Sequence, residues 1–237
     1  MSIKKIVFDN GHAETTPGKR IPAALDSNQT REWTLNDRVY RYTIEELENY
    51  EGWEHIRLDD PTGQRDVPLS ERSRKANNYK GDILISIHHN AGANLTNAGG
   101  IVVYAHNGPL LQNTLNYQRS IYNHLIKTTG LKGNRASPLA RANFHMLREP
   151  RMSSLLLELG FMDSRTDAPI ILTEKFARQA AEGIANFLVE EFKLKAKPKP
   201  TGKLWRVQVG AFGNYDNAKC MEARLKKDGY DTWVTSN

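Results

Sequence analysis

The chain has 237 residues, 39% of them hydrophobic, which is enough for one domain with a buried core and a small appendage. Its single cysteine, Cys220, excludes an intramolecular disulfide framework and a cysteine-rich metal site, so any metal must rest on histidine, aspartate or glutamate. The net charge of +6 includes five lysines within residues 193–203, which contain no acid. Subtracting these five leaves +1 for the rest of the chain, which argues against a nucleic-acid-binding protein.

The first 192 residues alternate between strand patterns and helix patterns. Strands are predicted at residues 3–8, 82–87, 101–104 and 154–159, and the last is almost entirely apolar, as expected for a central strand. Helices are predicted at residues 32–50, 69–79, 111–125 and 176–188, where apolar residues recur at helical spacing. This alternation predicts an α/β fold with a mainly parallel, twisted sheet and helices on both faces.

A lysine- and proline-rich stretch, residues 193–203, is predicted to be a linker because it has almost no apolar residues to bury. It separates a catalytic domain at 1–192 from a C-terminal unit at 204–237. No apolar run is long enough to span a membrane, and the apolar start of the chain is too short for a signal peptide. We therefore expect synthesis in the cytoplasm without membrane insertion.

The C-terminal unit has the pattern of a small β-α-β motif. A strand is predicted at 205–209, followed by a helix that Asn214 caps and Gly229 ends, and a second strand begins at 232–235. A unit of 34 residues has too little core for independent stability.

Polar side chains lie at or near the ends of three of the predicted strands. His12 comes after the first strand, His88 and His89 follow the second, and Glu158 lies in the apolar central strand. The carboxyl ends of parallel strands converge on one crevice. Two imidazoles and a carboxylate meeting there match a catalytic zinc site whose fourth position is left for water. A second carboxylate is then needed as a general base.

Each of these residues also has an ordinary structural interpretation. A histidine after a strand, such as His12, is often only a turn residue. Adjacent side chains on a strand point in opposite directions, so at most one of His88 and His89 is expected to bind. A buried, unpaired Glu158 is costly and must meet a cation, a metal or a substrate proton. An ion pair with Arg148 is its structural alternative.

Five short motifs occur in an order that is typical of one enzyme family. They are Asp9-Asn10-Gly11-His12-Ala13; Glu32-Trp33-Thr34-Leu35-Asn36; Leu69, Arg72, Ala76 and Asn77; Ser86-Ile87-His88-His89-Asn90; and Leu147-Arg148 with Leu155-Leu156-Leu157-Glu158-Leu159-Gly160-Phe161. With these motifs, nearly all of residues 3–190 resemble the zinc-dependent N-acetylmuramoyl-L-alanine amidases. The chain departs from the family pattern at Asn10, Ala13 and His89, where the family has proline, glycine and alanine.

The resemblance implies that His12, Glu32 and His88 hold one zinc ion and that Glu158 is the catalytic carboxylate. Glu32 enters through the resemblance alone, and Glu14, two residues after His12, is its local rival. The implied reaction is hydrolysis, by zinc-activated water, of the amide between N-acetylmuramic acid and the L-alanine of the peptidoglycan stem peptide.

The C-terminal unit is similar to the first half of a SPOR domain, from Val207-Gln208-Val209-Gly210-Ala211-Phe212 to Gly229. SPOR domains bind glycan strands that lack stem peptides, so the resemblance implies peptidoglycan as the partner of both regions. Nothing in residues 1–192 requires more than a monomer, whereas two half-domain tails could pair.

Three functions stay open from the sequence. The first is the amidase; the second is a zinc carboxypeptidase or other peptidase acting within the stem peptide; the third is a non-catalytic peptidoglycan-binding protein. A bacterial cytoplasmic origin suits either a phage endolysin released through holin-type membrane holes or an autolysin that acts during sporulation. The sequence does not choose between these two settings.

Overall fold

The computed structural model describes residues 3–198, 208–230 and 232–235, which fall into two units. The larger unit spans Met1–Lys197 and the smaller one Pro198–Asn237. The larger unit thus extends past the predicted boundary at residue 192, because Leu194 is buried and the next two residues pair with another strand.

Eight strands lie in the larger unit: β1 (Lys4–Asn10), β2 (Tyr50–Glu51), β3 (Trp53–Arg57), β4 (Ile83–Asn90), β5 (Ile101–His106), β6 (Leu139–Ala142), β7 (Ser153–Phe161) and β8 (Lys195–Ala196). Six of them form one sheet in the order β3-β1-β4-β7-β5-β6, and β2 pairs with β8 separately. Within the six-stranded sheet only the β5–β7 pairing is antiparallel. The prediction of a mainly parallel sheet is confirmed, with β7 in its interior.

Six helices accompany these strands: α1 (Glu32–Leu47), α2 (Leu69–Tyr79), α3 (Thr114–Thr129), α4 (His145–Arg148), α5 (Ala168–Ile171) and α6 (Glu174–Phe192). Successive side chains of β1 contact helices on opposite faces of the sheet, so both faces are covered. Val7 packs with Ala76 of α2, whereas the ring of Phe8 lies 5.4 Å from that of Tyr40 of α1. Helices α1 and α3 both pack against α6.

The long elements were predicted and the short ones were missed. Edge strand β3 is half-buried along most of its length, so it lacks the alternation that identifies a strand. Strand β6 has the sequence Leu-Ala-Arg-Ala, which contains no β-branched residue. Sequence periodicity therefore found the elements that build the core but not those at its margin.

The smaller unit contains α7 (Tyr215–Lys227). As predicted, the side chain of Asn214 caps it, accepting hydrogen bonds from the backbone of Asp216 and Asn217, and Gly229 follows it with a φ of 89°. Residues 205–207 of the predicted first strand lie outside the described residues. Residues 232–235, where the second strand is predicted to begin, do not lie in a strand in the described structure. In the parts of the chain that the structure describes, no helix has the length and apolar character of a membrane span.

Candidate metal centre

The site lies at the carboxyl ends of β1 and β4, beside Glu158 in the neighbouring strand β7. In the parallel register of β1 and β4, Asn10 pairs with Ile87, and in that of β4 and β7, His88 pairs with Glu158. The sheet order therefore brings the end of β1, the end of β4 and Glu158 to one edge.

Three of the predicted ligands come together at this edge. His12, Glu32 and His88 each offer one ligand atom, and these atoms all lie within 4.8 Å of one another. His12 Nε2 is 3.4 Å from Glu32 Oε2, and His88 Nδ1 is 3.0 Å from Glu32 Oε1. The two imidazole rings are nearly perpendicular, with centroids 5.1 Å apart. Two imidazoles thus flank one carboxylate.

The residues fit a zinc ion. Glu32 Oε2 is buried and has no hydrogen-bond partner among the described residues, which is costly unless a cation binds it. Nitrogen and oxygen donors from two histidines and one glutamate are a set that zinc uses in hydrolytic sites. The site is also accessible, since the side chains of His12 and His88 are 21% and 15% exposed.

Helix α1 positions Glu32, its first residue. The backbone N–H of Glu32 donates to the carbonyl of Lys19, and the carboxylate lies at the positive end of the helix dipole. Burial acts to raise the pKa of Glu32, but the hydrogen bond and charge of His88 outweigh it and lower the pKa to about 2. Glu32 is therefore ionised at neutral pH, as a metal ligand must be.

His12 has a φ of 67°, a conformation that is uncommon for residues other than glycine. The buried guanidinium of Arg72 holds this turn, donating from Nη2 to the carbonyl of His12 and from Nη1 to that of Asn10. Burial lowers the pKa of His12 to about 4, so its imidazole is neutral at pH 7 and able to ligate.

Gly11 and His88 are in direct contact. A Cβ atom at Gly11 would collide with the imidazole of His88, so the closeness of the two strand ends requires glycine. This contact places the His88 ring against the backbone that carries His12.

His89 does not belong to the group of three possible metal ligands. Its Nδ1 lies 2.8 Å from Asn36 Oδ1, and Asn36 Nδ2 donates to the carbonyl of Gly11 at 3.1 Å. The two adjacent histidines therefore have different surroundings, in keeping with the expected alternation along the strand.

Glu158 is the fourth residue predicted for the site. Its Oε2 atom is buried and lacks a hydrogen-bond partner in the described regions. Burial raises the pKa of Glu158 to about 7, against the attraction of His88. The alternative partner Arg148 is engaged elsewhere, donating to Glu149 Oε1 and Asn143 Oδ1.

Glu14 does not join the cluster. Its Oε1 accepts a hydrogen bond from Thr34 Oγ1 at 3.3 Å. Among the described residues, the carboxylate that lies with His12 and His88 is that of Glu32. The rival to Glu32 thus has a local structural partner.

Comparison with known proteins decides the family. The model of the N-acetylmuramoyl-L-alanine amidase family matches residues 6–190. The chain belongs to this amidase family. A SPOR domain model matches residues 176–237, so that match begins inside α6, earlier than the predicted start at residue 204.

Several relatives resemble this amidase over more than half of its length. The sporulation-specific N-acetylmuramoyl-L-alanine amidase of Bacillus subtilis (strain 168) is 34% identical over 97% of this chain and 84% of that protein. The amidase CwlM of Bacillus licheniformis is 29% identical with the same coverage. An endolysin of Bacillus phage SPP1 is 30% identical over 54% of this chain and 47% of its own length.

Solved amidase structures have the same fold. An amidase from Clostridium difficile 630 superposes with a TM-score of 0.72 at 23% identity, over 81% of this chain and 98% of that chain. The catalytic domain of CwlV from Bacillus (Paenibacillus) polymyxa var. colistinus gives 0.70 at 23% identity, over 81% and 100%.

Sequence reasoning missed the role of Arg72 in this amidase. In the sequence Arg72 is only one member of a motif, whereas in the structure its side chain is 1% exposed and contacts the turn that carries His12. A single arginine on a polar helix has no sequence signal that predicts burial, because its partners are backbone carbonyls brought together by the fold.

Proposed function

We propose that the chain is a zinc-dependent amidase that hydrolyses the amide between N-acetylmuramic acid and the L-alanine of the peptidoglycan stem peptide. The observation that carries this proposal is the convergence of His12, Glu32, His88 and Glu158 at one sheet edge in a chain of the amidase family. Two relatives are named N-acetylmuramoyl-L-alanine amidases, which supports this amide as the bond that is cleaved.

His12, Glu32 and His88 would hold the zinc ion. When bound, zinc supplies a Lewis acid that polarises the scissile carbonyl and lowers the pKa of a water molecule. The chain contributes ligands that are already in their binding forms, since His12 is neutral and Glu32 is ionised at pH 7.

Glu158 moves the proton. Burial raises the pKa of this carboxylate to about 7. At neutral pH it can therefore accept a proton from the attacking water and return it to the departing amide nitrogen. Its position beside His88 in the strand register keeps it next to the ligand set.

Digestion of purified peptidoglycan tests the reaction. Zinc-loaded protein is expected to release intact stem peptides with a free L-alanine amine and to leave the glycan uncut, whereas chelator-treated protein releases none. Cleavage inside the stem peptides would instead establish a peptidase. Binding of zinc-loaded protein to peptidoglycan without any cleavage would instead favour a non-catalytic binding role.

Substitution of Glu158 tests the proton transfer. Glu158→Gln is expected to lower kcat by roughly 10²- to 10⁴-fold, the usual contribution of general acid–base catalysis, while the zinc content stays unchanged. Exposed Glu149 offers a matched control, and Glu149→Gln should keep the wild-type kcat. Near-normal turnover by Glu158→Gln would remove Glu158 from this role.

We also propose that the smaller unit binds glycan strands, which the SPOR match supports. The full chain carrying Glu158→Gln is expected to sediment with glycan stripped of stem peptides more strongly than with intact peptidoglycan. Equal sedimentation with both would contradict the proposal, and the mass of the chain in solution distinguishes a monomer from tail pairing.

For the cellular setting we propose synthesis in the bacterial cytoplasm and action on the wall after lytic release. Relatives from both sporulation and a phage are compatible with it. Fractionation of expressing cells before and after lysis checks this, and chain found outside intact cells would contradict it.

A further inference from the structure

Lys19 lies beside the ligand set and belongs to none of the motifs that define the family resemblance. Its backbone carbonyl accepts the N–H of Glu32 at 3.0 Å, which ties this part of the chain to the start of α1. Its Nζ lies 3.8 Å from Glu32 Oε2, and its side chain is 44% exposed. The ammonium therefore reaches from solvent to the edge of the metal centre.

The ammonium of Lys19 lies on the ligand side of Glu32. Glu32 Oε2, the oxygen 3.8 Å from Lys19 Nζ, is also 3.4 Å from His12 Nε2. The cation therefore lies beside the atoms that would hold the metal, where the substrate must react.

A structural ion pair with Glu32 does not account for this position. The two oxygens of Glu32 already face His12 and His88, and 3.8 Å is too long for a hydrogen bond from Nζ. A partly exposed ion pair of this kind contributes little to stability. An ammonium has three N–H donors, which suit a negatively charged oxygen brought by a ligand.

We propose that Lys19 binds an anionic oxygen of the substrate at the metal centre. This proposal rests on the proposed amidase function. Two oxygens of the substrate have the right chemistry: the oxygen of the scissile carbonyl, which gains negative charge in the transition state, and a carboxylate of the stem peptide. They differ in when the charge is present, because a carboxylate is charged in the ground state and the carbonyl oxygen is not.

Kinetics of Lys19→Met separate the two oxygens. The substrates are two muropeptides that differ only in whether the second stem residue carries a free carboxylate or its amide. Contact with the scissile oxygen should lower kcat by about 10- to 100-fold on both substrates with little change in KM. Contact with the carboxylate should raise KM by about tenfold on the first substrate only.

Two further variants control for charge and for folding. Lys19→Arg keeps the positive charge and should recover part of the lost activity. Lys175→Met removes an exposed lysine at the start of α6 and should behave as the wild type. Zinc content is measured for every variant, and a loss of zinc that parallels the loss of activity would overturn the proposal, since Lys19 would then only support Glu32.

Binding without turnover gives an independent readout. A phosphinate analogue of the scissile amide and the carboxylate-bearing muropeptide are titrated calorimetrically into Glu158→Gln protein, with and without Lys19→Met. At least one of the two should bind about tenfold more weakly without Lys19. Unchanged affinity for both, or kinetics within twofold of the wild type on both substrates, would overturn the proposal. A wild-type protein that fails to hydrolyse peptidoglycan would refute the proposed function, and these titrations would still decide the role of Lys19.

Discussion

Two charged clusters lie close together at the carboxyl end of β1, and they differ in how completely their hydrogen bonds are made. In the first cluster, Arg72 donates to Asp9 Oδ1 at 2.7 Å and to three backbone carbonyls, while Ser86 Oγ donates to the other oxygen of Asp9. In the second cluster, Glu32 and Glu158 each keep a buried oxygen with no hydrogen-bond partner among the described residues.

The difference separates a cluster that supports the fold from a cluster that is arranged for a ligand. A buried acceptor without a partner costs about 1–3 kcal/mol, so the second cluster destabilises the metal-free fold. The first cluster offsets part of that cost, since it fixes the strained turn at His12. Changes in the two clusters should therefore affect stability and ligand binding differently.

The largest effect is expected from Arg72→Met. Removing the guanidinium leaves the buried carboxylate of Asp9 without its cation, and breaking such a pair typically costs about 3–5 kcal/mol of unfolding free energy. Urea unfolding in the presence of chelator measures it. Arg74→Met, at an exposed neighbouring position of α2, should change stability by less than about 0.5 kcal/mol. A loss below about 1 kcal/mol for Arg72→Met would remove the distinction between the clusters.

The pH dependence of metal-free stability probes Glu158. In the folded protein, burial raises the pKa of Glu158 to about 7, above the ordinary value of 4.5. The contribution of Glu158 to the unfolding free energy is therefore fully present below pH 4.5 and is lost as the pH rises through 7. The lowered pKa of His12, about 4, has the opposite effect between pH 6.5 and 4. The informative quantity is therefore the difference between Glu158→Gln and the wild type.

The unfolding free energy of Glu158→Gln minus that of the wild type should increase by up to about 3 kcal/mol between pH 4.5 and pH 8. Unfolding in chelator at both pH values measures it, with Glu149→Gln as the control. A difference that is constant with pH would mean that Glu158 is not buried as an uncompensated carboxylate.

Glu32→Gln should separate ligand binding from folding. The amide keeps the size of the side chain and can still accept from the backbone of His89. Burial acts to raise the pKa of Glu32 but its attraction to His88 lowers it to about 2, and the neutral amide loses this attraction, so the metal-free variant should lose up to about 3 kcal/mol of unfolding free energy at pH 7. Zinc at 100 times its Kd should stabilise the wild type by about 2.7 kcal/mol and leave the variant unchanged. Equal stabilisation of both proteins by zinc would exclude Glu32 as a ligand.

The sequence predicted the second cluster better than the first. His12, His88 and Glu158 follow or lie within strands, where a polar residue stands out from its apolar neighbours. Glu32 begins an amphipathic helix, where a glutamate is ordinary, so only the family resemblance identified it. Arg72 and Lys19 have no such contrast with their neighbours. Their roles depend on the register between β1 and β4 and on the turn at His12, which involve residues far apart in the chain.

The smallest effect is expected at His89, where the chain departs from the family pattern. The carbonyl of Gly11 can only accept, so the amide nitrogen of Asn36 faces it, and Asn36 Oδ1 must accept from Nδ1–H of His89. This leaves His89 Nε2 as a buried acceptor with no partner among the described residues, and burial lowers the pKa of His89 to about 3. His89→Ala removes this orphaned acceptor but also leaves Asn36 Oδ1 without its donor. The two changes oppose each other, so we expect a net loss of about 1 kcal/mol in chelator.

Asn36→Ala is the matched comparison, since it removes the donor to Gly11 as well and should cost more than His89→Ala. A double-mutant cycle should give a coupling of about 0.5–3 kcal/mol between the two residues. Additive losses would show that His89 only fills space beside the metal centre. A positive coupling would place Asn36 and His89 with Arg72 in the group of residues that hold the backbone carrying His12.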